Sequence, residues 1–330
     1  SSWGGVRGGR GSAMDALFVV IALLVFAAAV AALLYYAPWP PPVLLNRERQ
    51  EVTILDVIQA SHDTKRFRVA LGAKGRILGL PVGKSIIVYA PNPDECVRTG
   101  EWNGRADPDK GQREVDRSYT PITGDEVDGY FDLLVKIYKP GTTRTSEDEQ
   151  VSWTNGGKVS QYLDSKNPGD VIEINGPRGG IEYLGRGMIA LHNRTLSAKH
   201  ICMLAGGTGI TPMVQVLRRA IRDKADYCRF TLIYANKTEE DILLRDVLDG
   251  LVNEGKGQFN VVYTLDFPPA KWKEEKGHIS AGLIRKHFPP PRRKSFDPLI
   301  LMCGPVPMVE LACRKNLLAL GYPSQSLVAF

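Results

Sequence analysis

Apolar residues change their spacing twice along the chain, and each change marks a boundary. Residues 16–37 form an apolar run without charge or proline, long enough to span a bilayer as a helix. Tyr35, Tyr36 and Trp39 stand at its far end, where interfacial aromatics belong. A secretory signal peptide is the rival reading. The run is long for one, however, and Pro38-Trp39-Pro40-Pro41-Pro42 offers no small-residue cleavage site. Those prolines make a stiff spacer. The flanking charges, Arg7 and Arg10 before and Arg47 and Arg49 after, are too balanced to fix an orientation.

Between residue 51 and about residue 177 the pattern becomes short strand-like runs punctuated by turns. Residues 51–57, 66–71, 85–89, 130–138 and 170–174 each predict a strand, and their spacing predicts a small antiparallel barrel or sandwich. One helix, 158–166, interrupts it behind Gly156-Gly157. From about residue 196 strands alternate with helices. Strands are expected at 200–205, 230–235, 260–265, 299–303 and 327–330, with helices at 211–221, 240–253, 281–287 and 308–320. That alternation predicts a parallel, doubly wound sheet. The domain organisation expected is a tail, apolar helix and proline spacer at 1–46, a β domain at 47–178, a linker at 179–196 and an α/β domain at 197–330.

Composition adds little to this picture. A formal net charge of +6 over 330 residues is a mild excess, compatible with an acidic partner or an anionic membrane face, and gives no reason to expect nucleic acid. The five cysteines include no C-x-x-C pair and are odd in number, so no zinc site, iron–sulfur cluster or disulfide framework is predicted. A reducing compartment fits them best.

Candidate chemistry gathers at the glycines. Leu204-Ala205-Gly206-Gly207-Thr208-Gly209-Ile210-Thr211-Pro212-Met213 joins a strand to a helix through a turn whose backbone a ligand can approach closely. Thr211 is expected to cap the helix and Pro212 to open it, leaving N–H groups aimed at an anion. The third glycine of G-x-G-x-x-G is missing, and a tight turn without a ligand is the plain alternative. Gly156-Gly157 gives a second such start. In a doubly wound sheet ligands bind beyond the carboxyl ends of the strands, where Gly206 to Thr211, Asp266 and Cys303-Gly304-Pro305 all fall.

Four stretches occur in order: Arg117-Ser118-Tyr119-Thr120-Pro121, Gly156-Gly157-Lys158-Val159-Ser160, Gly206-Gly207-Thr208-Gly209-Ile210-Thr211-Pro212 and Cys303-Gly304-Pro305-Val306-Pro307-Met308. With Tyr263-Thr264-Leu265-Asp266, the stretch from Asn236 to Arg245 and a terminal Phe330, the chain resembles the NADH–cytochrome b5 reductase family of ferredoxin–NADP reductase-like flavoenzymes. The resemblance covers everything after the apolar run. It implies FAD on the β domain and NADH on the α/β domain, with hydride arriving at the flavin and single electrons leaving to cytochrome b5 or a similar small haem protein. It also implies a membrane anchor through residues 16–37 and catalytic domains facing the cytosol, at the endoplasmic reticulum or outer mitochondrial membrane.

Roles carry over residue by residue. Arg117 matches the arginine on the flavin phosphates, a group that a guanidinium fork suits. Ser118, Tyr119 and Thr120 follow it along the flavin, Tyr119 packed on the ring region and Thr120 near the hydride-accepting nitrogen. Leu134, Lys136 and Tyr138 match the strand lining the cofactor. Gly157, Lys158, Val159 and Ser160 match the pyrophosphate seat, and Lys158 either faces the acceptor or is a solvated helix-end lysine. Gly206, Gly207 and Thr208 match the NADH pyrophosphate and ribose turn, and Thr211 and Pro212 the junction of the two rings. Cys303 matches the cysteine beside the nicotinamide, with Gly304, Pro305 and Met308 around it; a buried thiol without chemistry is the alternative. Asp266 suits ribose hydroxyls and would favour NADH over NADPH, or simply turns the chain before Phe267-Pro268-Pro269. Another acceptor (a quinone, desaturase or nitrate reductase partner) and a non-catalytic NADH sensor remain as alternatives. Three departures stand out: Ser118 replaces a usual proline, Lys84-Ser85 replaces a pair often ending in histidine, and 91–116 is long and reads as solvated loop.

Overall fold

The computed structural model describes residues 11–36, 41–144, 150–292 and 297–330. Residues 1–10 of the tail, Ala37 of the apolar run and Pro38, Trp39 and Pro40 of the spacer lie outside them. The chain divides into two compact units between Pro41 and Pro42. The first holds helix α1, Gly11–Tyr36. Its described side chains, residues 16–28, are exposed apolar groups such as Phe18, Leu24 and Phe26. They cover about 20 Å of helix, against the roughly 30 Å of a bilayer core. Among the described residues no helix is long and apolar enough to cross a membrane.

The second unit opens with an antiparallel six-stranded sheet. Its strands are β1 Gln50–Ser61, β2 Thr64–Ala70, β3 Ser85–Pro91, β4 Glu114–Tyr119, β5 Tyr130–Lys136 and β6 Val171–Arg178, ordered β4-β3-β6-β1-β2-β5. Alternate residues point inward, so Ile54, Phe67, Val69, Ile86, Val88, Phe131 and Ile174 meet in one core. The sheet curls until its edges approach, where Ile122 N donates to Asp132 O at 2.9 Å. Helix α2, Lys158–Asp164, presses Val159 and Leu163 into the same core.

Before residue 197, two stretches differ from the sequence reading. Residues 91–116 are not a solvated loop: they hold a helix, Asp94–Thr99, a ribbon of Glu101–Trp102 with Arg105–Ala106, and the first half of β4. The Gly and Pro content belongs to the turns between these elements. Cys96 and Val115 are buried, and Asn92 Nδ2 donates to the backbone oxygens of Asp109 and Gln112. Within 179–196 three antiparallel strands form, Ile181–Gly185, Met188–Leu191 and Arg194–Ser197. Tyr183, Ile189 and Leu196 from them join the buried cluster of the following domain.

That domain is a parallel sheet of β7 His200–Gly206, β8 Arg229–Asn236, β9 Phe259–Leu265, β10 Glu275–Lys276, β11 Leu299–Cys303 and β12 Leu327–Ala329, ordered β10-β9-β8-β7-β11-β12. After His200, strand β7 is apolar because both faces are covered. Met203 and Ala205 pack towards helix α3, Ile210–Arg222, while Cys202 and Leu204 pack with Ile284 and Leu317 on the other side. The helix expected over 240–253 is broken. Thr238 and Asp241 close a reciprocal cap on a single tight turn, and the helix proper, α4, begins at Arg245 and ends at Glu254. The helix expected over 308–320 starts as a wide π turn, Met308–Arg314, before Lys315–Ala319 winds normally.

Candidate active site

Strand β7 has β8 on one side and β11 on the other, so the chain leaves it in opposite directions and a crevice opens at the carboxyl ends. Two turns fill that point. A Cβ added to Gly206 would lie 3.1 Å from Met308 Cε and 3.3 Å from Pro305 Cδ. One added to Gly209 would be driven into the Cys303 carbonyl, 2.5 Å from its carbon and 2.8 Å from Gly304 N. The glycines are thus what lets the Gly206–Gly209 turn and the Cys303–Met308 turn lie backbone to backbone. Gly207, with φ of 52°, is different: an added Cβ would meet nothing within 4 Å, so its backbone faces open space. Tyr234 Oη donates to Gly207 O at 3.0 Å and fixes the turn from below. The helix begins at Ile210, so Pro212 sits in its first turn rather than opening it. Thr211 Oγ1 donates to Thr208 O at 3.1 Å, which secures the turn but does not cap free N–H groups as expected.

The β domain reaches the same place through α3. Gln215 Nε2 donates to Pro121 O at 2.9 Å, Gln215 Oε1 accepts from Gly83 N at 2.9 Å, and Arg218 donates to Ile122 O at 2.5 Å. Gln215 lies one helical turn beyond Thr211, so Pro121 packs on α3 about one turn from the glycine turns. Strand β5 lies against the Gly207–Gly209 turn. Sequence reasoning missed Gln215, because a lone glutamine on a helix carries no signal until its partners are known.

Along β4, Arg117 and Tyr119 share a face and Ser118 takes the other, pairing with Val88, Ile86 and Ile87 of β3 respectively. Tyr119 is half-buried against the barrel core, and burial pushes its hydroxyl well above the ordinary tyrosine range. Arg117 is half-exposed, its guanidinium donating to Asp116 O at 2.6 Å and to Asp109 Oδ2 at 3.2 Å. Leu134 is buried in the cluster that holds Ile210 and Met213. Lys136 Nζ pairs with Asp63 Oδ2 at 2.6 Å, and Tyr138 is exposed with its ring 6.4 Å from that of Trp153.

At the second glycine start, Gly157 N donates to Tyr138 O at 2.8 Å. Ser160 Oγ accepts from Tyr138 N and donates to Gly157 O, each at 3.2 Å, so its hydroxyl is spent inside the fold. Lys158 is not a solvated helix-end lysine. Its side chain is 3% exposed, with Nζ 2.5 Å from Asp107 Oδ2 and 3.3 Å from Asp109 Oδ2. Cys96 Sγ also donates to Asp107 at 2.5 Å. Burial works against the Asp107 charge, but the bonds from Cys96 and Lys158 outweigh it and hold the carboxyl below its usual range. Trp102 Nε1 and Asn103 Nδ2 both donate to Gly156 O, at 2.7 and 3.0 Å. The segment once read as loop therefore braces this helix start. Beside it lies a cavity of about 460 Å³ walled by Pro91, Trp102, Pro140, Asn155, Gln161 and Tyr162, among others.

A family model described as an oxidoreductase FAD-binding domain matches residues 51–101 and 105–183, skipping the ribbon tip at 102–104, and one described as an oxidoreductase NAD-binding domain matches 203–314. The chain is 41% identical over 300 residues to NADH-cytochrome b5 reductase 2 of Xenopus laevis, covering 89% of this chain and 88% of that one. The chain belongs to the NADH–cytochrome b5 reductase family. It is 40% identical over 281 residues to the human NADH-cytochrome b5 reductase 1, covering 83% of each chain. Among solved structures it resembles the cytochrome b5 reductase domain of Ulva prolifera nitrate reductase, with a TM-score of 0.74 and 32% identity over 88% of this chain and all of that one.

The residues present fit the two cofactors of this reductase family. For FAD, the half-exposed Arg117 fork carries the charge a diphosphate needs, and Tyr119 offers a fixed ring. For NAD, the open backbone at Gly207 admits a phosphate, and two groups wait at the neighbouring strand ends. Asn236 is buried, with neither amide atom partnered among the described residues. Asp266 Oδ1 lies 2.8 Å from His278 Nδ1. Burial raises the Asp266 carboxyl above its usual range, against the pull of His278 and Lys237. It therefore protonates earlier than an exposed carboxylate as pH falls, and then loses acceptor capacity for ribose hydroxyls. The KM for NADH should rise on the acid side, whereas Asp266→Asn should start about ten-fold higher and show no such limb. Matching KM–pH profiles for the two proteins would remove Asp266 from the ribose site.

Proposed function

We propose that this chain takes a hydride from NADH onto FAD and passes electrons singly to cytochrome b5, while α1 anchors it to a membrane with its catalytic domains in the cytosol, at the endoplasmic reticulum or outer mitochondrial surface. The observation that carries the redox reading is that Pro121, the last residue of the Arg117–Pro121 stretch, packs on α3 about one turn from where the Gly206–Gly209 turn and Cys303-Gly304 lie backbone to backbone. FAD supplies the conversion of two-electron to one-electron chemistry. The chain's own residues bind and align. Arg117 is suited to a phosphate, the Gly207 backbone to the dinucleotide, and Asp266 to ribose hydroxyls. Burial pushes the Cys303 thiol up to about 11, so at neutral pH it stays uncharged and shapes its pocket rather than attacking anything. No side-chain base or nucleophile is needed, because holding two rings in register supplies the acceleration.

Support for the anchor is the uncharged helical sequence from Ala16 to Tyr36. The cytosolic side is supported by five free cysteines, four of them buried. One experiment tests the whole reading. Membranes from cells expressing the full chain are washed with alkaline carbonate, and the retained yellow protein is mixed with NADH and cytochrome b5. Retention, flavin bleaching by NADH and haem reduction are expected. Release by carbonate would sink the anchor, a colourless protein the enzyme, and flavin bleaching without haem reduction the acceptor.

A further inference from the structure

The segment joining β3 to β4 carries two carboxylates into the neighbourhood of Arg117. Asp107 is matched to Lys158 at 2.5 Å, and both are almost wholly enclosed. Asp109 is in a different position. Its side chain is 18% exposed, and one oxygen, Oδ2, is shared between Lys158 at 3.3 Å and Arg117 at 3.2 Å. Neither cation depends on it. Lys158 keeps its nearer partner in Asp107, and Arg117 is already oriented by the Asp116 carbonyl. Asp109 itself is held in place, since its backbone oxygen accepts from Asn92 Nδ2 at 3.2 Å and from Gln112 N at 3.1 Å.

A carboxylate and a phosphate make the same demand on a guanidinium: two acceptor oxygens and a negative charge. The four side chains Asp107, Asp109, Lys158 and Arg117 together carry no net charge, so a diphosphate arriving here meets a site already neutralised from within. We propose that Asp109 is a built-in competitor of the flavin diphosphate for Arg117, so that cofactor binding exchanges a carboxylate of the chain for a phosphate of FAD. Retention of the flavin is then set by the 92–113 segment as well as by the residues that touch the cofactor. The inference rests on the FAD reading given above.

The test uses the full chain stripped of flavin and titrated with FAD, with binding read from quenching of flavin fluorescence. Asp109→Asn keeps the shape and removes the charge, and is expected to lower the Kd for FAD about ten-fold in low salt, with a smaller gain in high salt. Asp109→Ala should shift it in the same direction, which guards against an accident of one substitution. Riboflavin has the same ring system and no phosphate, so its Kd should be the same for the parent and both variants. An unchanged or weaker Kd for FAD in both variants overturns the proposal, as does an equal gain for riboflavin. If the parent chain binds no FAD at all, the flavin assignment falls and this proposal with it; normal FAD binding that ignores Asp109 overturns only the present inference.

Discussion

Gly209→Ala is expected to cut kcat/KM for NADH by about a hundred-fold or more while the purified protein stays yellow. The backbone at this residue is ordinary, so no strain in φ is at issue. The effect comes from what a methyl group would strike: the carbonyl carbon of Cys303 at 2.5 Å and Gly304 N at 2.8 Å. Neither is the free end of a flexible side chain, so one of the two turns must move as a whole. Both turns sit at the carboxyl ends of β7 and β11, where the nicotinamide cofactor is placed by the family reading. A shift of about 1 Å in a positioning element costs on the order of 10² in rate. The overpacking should also cost about 1–3 kcal/mol of stability. FAD is retained because Arg117 and Tyr119 belong to the barrel, whose core is separate from the cluster around β7. Stopped-flow reduction of the bound flavin by NADH reads the effect. A variant reduced at the parent rate, with the parent KM, would show that the two turns do not form the nucleotide site.

How much of this was legible beforehand depends on the range over which each signal acts. Strand β7 and helix α3 were readable to within a residue or so, because an apolar run ending in glycines, followed by apolar residues at helical spacing, is a local pattern. So was the strand Leu299–Cys303. The break between Thr238 and Arg245 was not, because the pattern of apolar residues continues through it. What stops the helix is a reciprocal cap and the Leu243 N–H donating to Tyr234 Oη at 3.3 Å, a partner nine residues back on another element. The misreading of 91–116 has the same origin. Glycine, proline and aspartate correlate with solvent, yet here aspartates 107 and 109 find cations that lie about fifty and about ten residues away in the chain. Polar residues look solvated in a sequence whenever their partners are distant in it. Lys158 shows this most plainly. Its place beside Gly157 identified the right helix start, and its charge invited an acceptor surface, but only the fold reveals the carboxylate that encloses it.

Lys158→Met should therefore destabilise the protein rather than weaken cytochrome docking. Methionine matches the lysine stem in length, so the packing beside the Trp102 ring, 5.6 Å from Nζ, is largely kept. What remains is Asp107, 4% exposed, with its cation gone and only the Cys96 thiol and backbone neighbours to hold it. Leaving one member of a buried pair uncompensated costs about 3–5 kcal/mol. Replacing the second member as well, as Lys158→Met with Asp107→Asn, removes the stranded charge and should recover most of that loss. The pH dependence has a definite sign. Asp107 is held below its ordinary carboxyl value, so its contribution is present above that value and lost as pH falls through the lower folded one. Burial disfavours the Lys158 charge, but its carboxylate partners prevail and raise its pKa, so its contribution holds throughout the neutral range and fades only in strong base. With Lys158 gone, burial raises the stranded Asp107, so the deficit of the single variant should be greatest at about pH 9 and shrink as pH falls through that raised carboxyl pKa, where Asp107 takes up a proton. Urea unfolding of the three proteins as a function of pH measures it. Were Lys158→Met as stable as the parent but with a raised KM for cytochrome b5, the lysine would have to lie at the docking face, and its enclosure by Asp107 would be the wrong description of this site.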